Sequence, residues 1–169
     1  MADFGSYTVD VDGLNTVTEA ETAIESCYRE QRERLWRSLL LFAGDPEVAG
    51  DALAEAFAQA IRRGDEIRDL AAWVWRTAFH VARGELKRRR AGVPLPELPV
   101  EMAEETVDLT RALAMLSPKQ RASVVLRLYA GYSAKETAAI IGSTPAAVGV
   151  HLKRARARLR DLLKEDDDA

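Results

Sequence analysis

Three helix starts fall within the 29 residues from Ser117 to Pro145, and each is written in side chains. Ser117-Pro118-Lys119-Gln120 sets a capping serine before a first-turn proline and a reciprocal glutamine. Ser133 and Glu136 repeat the box, and Thr144-Pro145 supplies a third cap. Gly131 and Gly142 stand where the first two helices must stop. Punctuation this dense leaves room only for short helices joined by tight turns. No strand-like alternation and no internal repeat competes with it anywhere in the chain.

The same logic extends upstream. Ile24, Tyr28, Leu35, Leu39 and Phe42 predict a helix over about 20–42, stopped by Gly44. Asp45 then caps a helix begun by Pro46 and running to about Arg63, with Val48, Leu53, Phe57 and Ile61 near one face. Gly64 to Arg68 is a short turn, and Asp69 caps a third helix carrying Leu70, Trp73, Val74, Thr77, Val81 and Leu86 before the basic run Lys87 to Arg90. Residues 91–104 hold Pro94, Pro96 and Pro99 among acids and cannot stay helical throughout. Helical pattern resumes over 104–115, and the last helix runs from Pro145 to about Lys164. The expected fold is all-α, two small helical domains joined by an acidic, proline-containing linker. The expected divisions are an acidic extension 1–19, a first domain 20–91, a linker 92–104, a second domain 105–164 and an acidic tail 165–169.

A net charge of −3 conceals a strong asymmetry. Residues 1–28 carry six acids and no base, and residues 91–108 carry five acids and no base. Residues 109–164 carry eleven bases against two acids, a charge of +9, which is an electrostatic footprint for phosphate. A single cysteine, Cys27, cannot form an internal disulfide and reads as a lone buried thiol in a reducing cytosol. No apolar run approaches a membrane span, and the acidic N-terminus lacks the features of a signal peptide, so a cytoplasmic protein without membrane insertion is expected. Two histidines, one cysteine and no phosphate-cradling glycine loop offer no nucleophile, metal cluster or nucleotide site. No catalytic residue, metal or cofactor is therefore expected. His80 lacks a second ligand at useful spacing.

The informative stretch is Ser133 to Leu159. Ala138 falls four residues before Gly142 and Val148 six after it. A helix-turn-helix needs a small residue where its helices cross, a glycine for the left-handed turn and an apolar residue to seat the second helix. Lys153, Arg154, Arg156, Arg158 and Arg160 follow on that second helix, and phosphates reward such a stripe through counterion release. A solvated surface face is the plain alternative.

The string LSPKQRASVVLRLYAGYSAKETAAIIGSTPAAVGVHLKRARARLR resembles domain 4 of the extracytoplasmic-function (ECF) sigma factors of bacterial RNA polymerase. Upstream, GDPEVAGDALAEAFAQA and AAWVWRTAFHVARGELKRRR resemble domain 2 of the same family. The likeness covers about residues 28–163. It implies a promoter-specificity subunit, not an enzyme, that binds the polymerase core through the β′ clamp and β flap, engages promoter DNA, and is usually held by an anti-sigma factor. It assigns Asp51, Glu55 and Phe57 to the polymerase clamp, with a plain core role open for Phe57. It assigns Arg76, His80, Arg83, Lys87 and Arg88 to the minus-10 element. Trp73 and Trp75 lie two apart and cannot share one helix face. Trp73 is assigned to the core, leaving Trp75 for DNA or polymerase. Ser133, Thr144, Ala147, His151, Lys153, Arg154, Arg156 and Arg158 are assigned to the minus-35 element. The rival reading is a stand-alone helix-turn-helix regulator with a helical partner-binding domain.

Departures from the family carry weight too. The Gly64 to Arg68 loop is short where the family captures a flipped minus-10 base. His80 stands where asparagine is usual, and Gly84 where aspartate is frequent. Ala146, Ala147, Gly149 and Val150 replace positions that are often polar or basic, which leaves apolar contact with thymine methyls and thin direct readout. Gly149 inside a helix costs about 1 kcal/mol against alanine, to be explained by close approach to DNA or by simple tolerance. In the family this linker threads polymerase surfaces built to hold polyanions, so the resemblance implies that Glu97, Glu101, Glu104, Glu105 and Asp108 imitate a nascent RNA backbone there, the plain alternative being an acidic tether. The acidic N-terminus is a candidate mask for the basic faces.

Overall fold

The computed structural model describes residues 11–89 and 104–167, and every regular element among them is helical. The N-terminal half holds α1 (Val11–Ala43), α2 (Pro46–Arg63), a 3₁₀ turn (Gly64–Glu66) and α3 (Leu70–Arg89). The C-terminal half holds α4 (Glu104–Ala114), α5 (Pro118–Val124) running into a π turn (Val125–Tyr129), α6 (Ala134–Ile141) and α7 (Pro145–Asp167). Helix α1 runs from Val11, upstream of the start near residue 20 that the apolar spacing suggested. Most of the acidic linker, the first ten residues and the end of the tail lie outside the described residues.

Local chemistry explains the helix boundaries. Asp45 is extended, accepts from the N–H groups of Glu47 and Val48, and starts α2 with Pro46 in the first turn. Its carboxylate is buried and pairs with Arg89 at the far end of α3, so one side chain both caps α2 and ties two helices together. Asp69 caps α3 through the Ala72 N–H at 3.0 Å. Ala49, Ala52, Ala56 and Ala60 are fully buried along α2 and let α1 and α3 approach closely. Leu35, Leu39, Phe42, Val74 and Phe79 fill the space they leave. Each large side chain so buried stabilises by about 1.5–3 kcal/mol. Cys27 is buried as expected, and burial, followed by nearby Glu30 and Asp69, pushes its thiol pKa up.

The two halves pack on one another. Arg121 of α5 is buried and donates to the carbonyl of Phe42 at the end of α1 (2.7 Å) and to those of Ala114 and Leu116. Trp75 of α3 meets the ring of Tyr132 edge-on at 4.9 Å, while the Arg34 guanidinium lies 5.1 Å from the first ring and 5.4 Å from the second. Trp75 also donates its indole N–H to Gln31 at 3.0 Å.

This packing corrects the tryptophan assignment. Trp75, expected on a free face, is fully buried, and Trp73 is the half-exposed one, with Arg63 lying 5.7 Å from its ring. The reason is that α3 is sandwiched: α1 covers one flank and the Tyr132 turn another, and Trp75 points between them. Ile61, expected near the inner face of α2, is 63 % exposed although Ala60 beside it is fully buried, because it lies well round the helix from the Ala49–Ala52–Ala56–Ala60 seam.

Candidate nucleic-acid and polymerase interface

The helix-turn-helix is built by reciprocal caps. The Ser133 hydroxyl accepts from the Glu136 N–H at 3.1 Å, and the Glu136 carboxylate accepts from the Ser133 N–H at 2.8 Å, which holds its pKa below the ordinary value. Gly142 ends α6 with φ 64° and ψ 54°, a left-handed conformation that glycine adopts without strain. Thr144 restarts the chain by accepting from the Ala147 N–H at 3.2 Å. Ala138 and Val148 are buried at the crossing of α6 and α7, so the three spacing requirements read from the sequence are met in space.

Along α7, Val148 and Ala155 are fully buried and Leu152 and Leu159 half-buried, which fixes the inner face. Lys153, Arg154, Arg156, Arg158 and Arg160 are exposed, and no ion pair among the described residues engages them. These five cations face solvent uncompensated, as a phosphate-binding stripe requires. Ala147 is half-buried. His151 is also half-buried, and desolvation first, then Lys119 and Arg154, lowers its pKa. Both effects disfavour the imidazolium form of this ring. Ser133 and Thr144 have their hydroxyls engaged as caps.

On α3, Arg76, His80, Arg83, Lys87 and Arg88 are all exposed, and Arg88 pairs with Glu85 on the same helix. Arg76, His80 and Arg83 line a cavity of about 170 Å³ whose opposite wall is α5 and α6, with Phe42, Phe79 and Ile140 in its floor. That is below the roughly 300–1,000 Å³ of ligand pockets. A wider cleft of about 640 Å³ lies beside it, between the Gly64–Asp69 turn, Trp73 and α6. The structure thus gathers part of the expected minus-10 set on one face and turns that face toward the C-terminal half.

On α2, Asp51 is exposed. Glu55 accepts from Gln59 at 2.7 Å and Arg62 at 3.0 Å, bonds that lower its pKa. Phe57 is a core residue here: it is 6 % exposed and meets Tyr28 edge-on at 5.0 Å. The apolar groups that α1 and α2 leave in solvent nearby are Tyr28 and Ile61 instead. Arg34 and Arg121, which join the halves, had no signal in the sequence beyond their charge. No group of three or more His, Cys, Asp or Glu able to hold a metal occurs among the described residues.

Residues 106–159 match the family Sigma-70, region 4. The chain is 38 % identical over 157 residues to the RNA polymerase sigma-E factor of Streptomyces coelicolor, covering 86 % of this chain and 89 % of that one. The chain belongs to the ECF RNA polymerase sigma factors. The ECF RNA polymerase sigma factor SigM of Mycobacterium tuberculosis is 33 % identical, with 83 % and 77 % of the two chains covered. Among solved structures, the sigma factor RpoE in complex with the anti-sigma factor NepR from Bartonella quintana matches with TM-score 0.68 and 26 % identity, covering 80 % of this chain and 95 % of that one. The structure of CnrH in complex with the cytosolic domain of CnrY shares the fold, with TM-score 0.72, 24 % identity and coverage of 89 % and 96 %. As a sigma factor, the chain directs promoter recognition and transcription initiation. No helix among its described residues is long and apolar enough to cross a membrane.

Proposed function

We propose that this sigma factor grips the polymerase core through α2, with Asp51 and Glu55 as its charged contacts and Tyr28 and Ile61 as the apolar ones. The minus-10 element falls to Arg76, His80, Arg83, Lys87 and Arg88 of α3, and the minus-35 element to α6 and α7. The division is the one read from the sequence: a first domain over 20–91, a linker over 92–104 and a second domain over 105–164. The protein acts in the cytoplasm and performs no chemistry of its own; the polymerase supplies that. A structural neighbour is in complex with an anti-sigma factor, and a similar partner is proposed here.

The observation that carries the assignment is the set of five exposed cations without ion-pair partners, spread across the outward side of the second helix of a correctly capped helix-turn-helix. Phosphate contacts from these cations supply affinity and register. Because Arg76, His80 and Arg83 face α5 and α6 across a narrow cavity, the halves must part before α3 can take a separated strand. Run-off transcription with purified core polymerase on genomic fragments tests the proposal. Discrete transcripts that require this chain are expected. Operator binding by the chain alone, with no affinity for core and no transcript, would identify it instead as a stand-alone regulator.

A further inference from the structure

Two neighbouring residues of α7 have no explanation inside the chain. Gly149 is not among the glycines with positive φ, and a methyl group added to it would meet nothing within 4 Å. Neither the backbone nor the packing asks for glycine there, although glycine weakens a helix interior. Val150 is 47 % exposed, an apolar side chain standing in solvent on a helix otherwise rich in arginine. Successive residues turn by about 100° around a helix, so the positions opposite the buried Val148–Ala155 seam can be assigned. Val150 and Lys153 fall on this outward crest, both exposed. Gly149, Arg156 and Arg160 flank it on one side, and Arg154 and Arg158 on the other.

Lys153 shares the crest about one turn further on, while the other polar groups near Val150 are engaged elsewhere. His151 is turned off the crest and half-buried beside Lys119, and the Thr144 hydroxyl caps the helix. The part of α7 that reaches furthest outward in its first turns is therefore apolar, between two basic rows. In the major groove the apolar group a base edge presents is the C5-methyl of thymine, and valine can recognise it by contact alone.

We propose that Val150 is a specificity-determining residue that reads one thymine methyl in the minus-35 element, and that Gly149 beside it lets the helix sit closer to the DNA than any side chain would allow. The inference rests on the reading above that α7 enters the major groove. It differs from hydrogen-bond readout in a measurable way: recognition follows the methyl group and ignores the exocyclic donor or acceptor next to it.

The test uses holoenzyme, core polymerase with the full chain, on a promoter obtained by run-off selection. Each minus-35 thymine is replaced in turn by deoxyuridine, which removes only the methyl. At one position binding should weaken about fourfold, the factor expected for one buried methyl group. Cytosine at that position should bind as poorly or worse, and 5-methylcytosine should recover most of the methyl's contribution. Val150→Ala should abolish the difference between thymine and uracil while the holoenzyme still forms. Gly149→Ala should raise the melting temperature of the free chain by about 2–4 °C, as removal of a helix glycine does, yet weaken promoter binding. A holoenzyme that starts transcripts but binds every uracil-substituted element like its parent overturns the inference and leaves the sigma-factor function standing. So does a Val150→Ala variant that keeps the full preference for thymine over uracil. Failure to start any transcript would sink the underlying promoter reading as well.

Discussion

Replacing Arg121 by methionine should loosen the whole molecule, and the effect can be worked from its hydrogen bonds. One arm of the guanidinium donates to the Phe42 carbonyl at 2.7 Å; the other is shared between the Ala114 and Leu116 carbonyls at 3.3 and 3.2 Å. A hydrogen bond from a charged donor contributes about 1.5–3 kcal/mol, and the two long bonds from one nitrogen count as roughly one, giving about 3–6 kcal/mol in all. Methionine has a similar reach, keeps the apolar packing and removes the cost of burying a cation, which offsets part of that sum. A net destabilisation of about 2–4 kcal/mol remains. For a domain of this size each kcal/mol moves the melting temperature by about 2–4 °C, so a fall of about 4–16 °C is expected in a circular-dichroism melt. The Phe42 bond spans the two halves, so small-angle scattering should also show a larger radius of gyration. Arg121→Lys, which keeps the charge but cannot serve both arms, should fall between the two. A methionine variant that melts within about 2 °C of the parent, the shift expected for less than 1 kcal/mol, and scatters identically would refute the claim that this side chain joins the halves.

Arg154→Ala with Arg156→Ala should weaken promoter binding and flatten its dependence on salt, by about 0.9 in the log–log slope for each phosphate left unneutralised; an unchanged slope in a titration of free chain with promoter DNA would deny that stripe its phosphate role. The Tyr132 phenol is pushed up to about 12, chiefly by burial, with Arg34 opposing and Glu136 assisting. A raised pKa in the fold means stability is intact below the unfolded value near 10 and is lost as pH climbs toward about 12, because the unfolded chain ionises first. Urea unfolding across that range should show the decline, and Tyr132→Phe should reduce it. Thr144→Ala removes the cap of α7 and should cost about 0.5–2 kcal/mol in the same assay without changing affinity for core polymerase.

How much was legible in the sequence depended on the range of the interaction involved. The boxes at Ser117 and Ser133, the Asp45 and Thr144 caps and the left-handed Gly142 all join residues within four positions of each other. They could be read directly and stand where expected. The five cations of α7 are exposed as well, which follows once Val148 and Ala155 fix the inner face of that helix. The π turn at Val125–Tyr129 was not visible: the helix there runs one residue wide, with Ala130 donating to the Val125 carbonyl at 2.9 Å, and nothing in the side-chain pattern announces it.

Tertiary contacts decided the rest. Periodicity showed that Trp73 and Trp75 face different ways, but which one is buried was settled by Gln31, 44 residues away, and by Tyr132 across the interface between the halves. Phe57 turned inward because Tyr28 lies over it, and Arg34 and Arg121 acquired structural roles from partners 79 to 98 residues distant. Caps, turns and charge are properties of neighbours along the chain and are therefore written in it. Burial and docking depend on how each helix is rotated against partners far away in sequence, and only the folded packing sets that rotation.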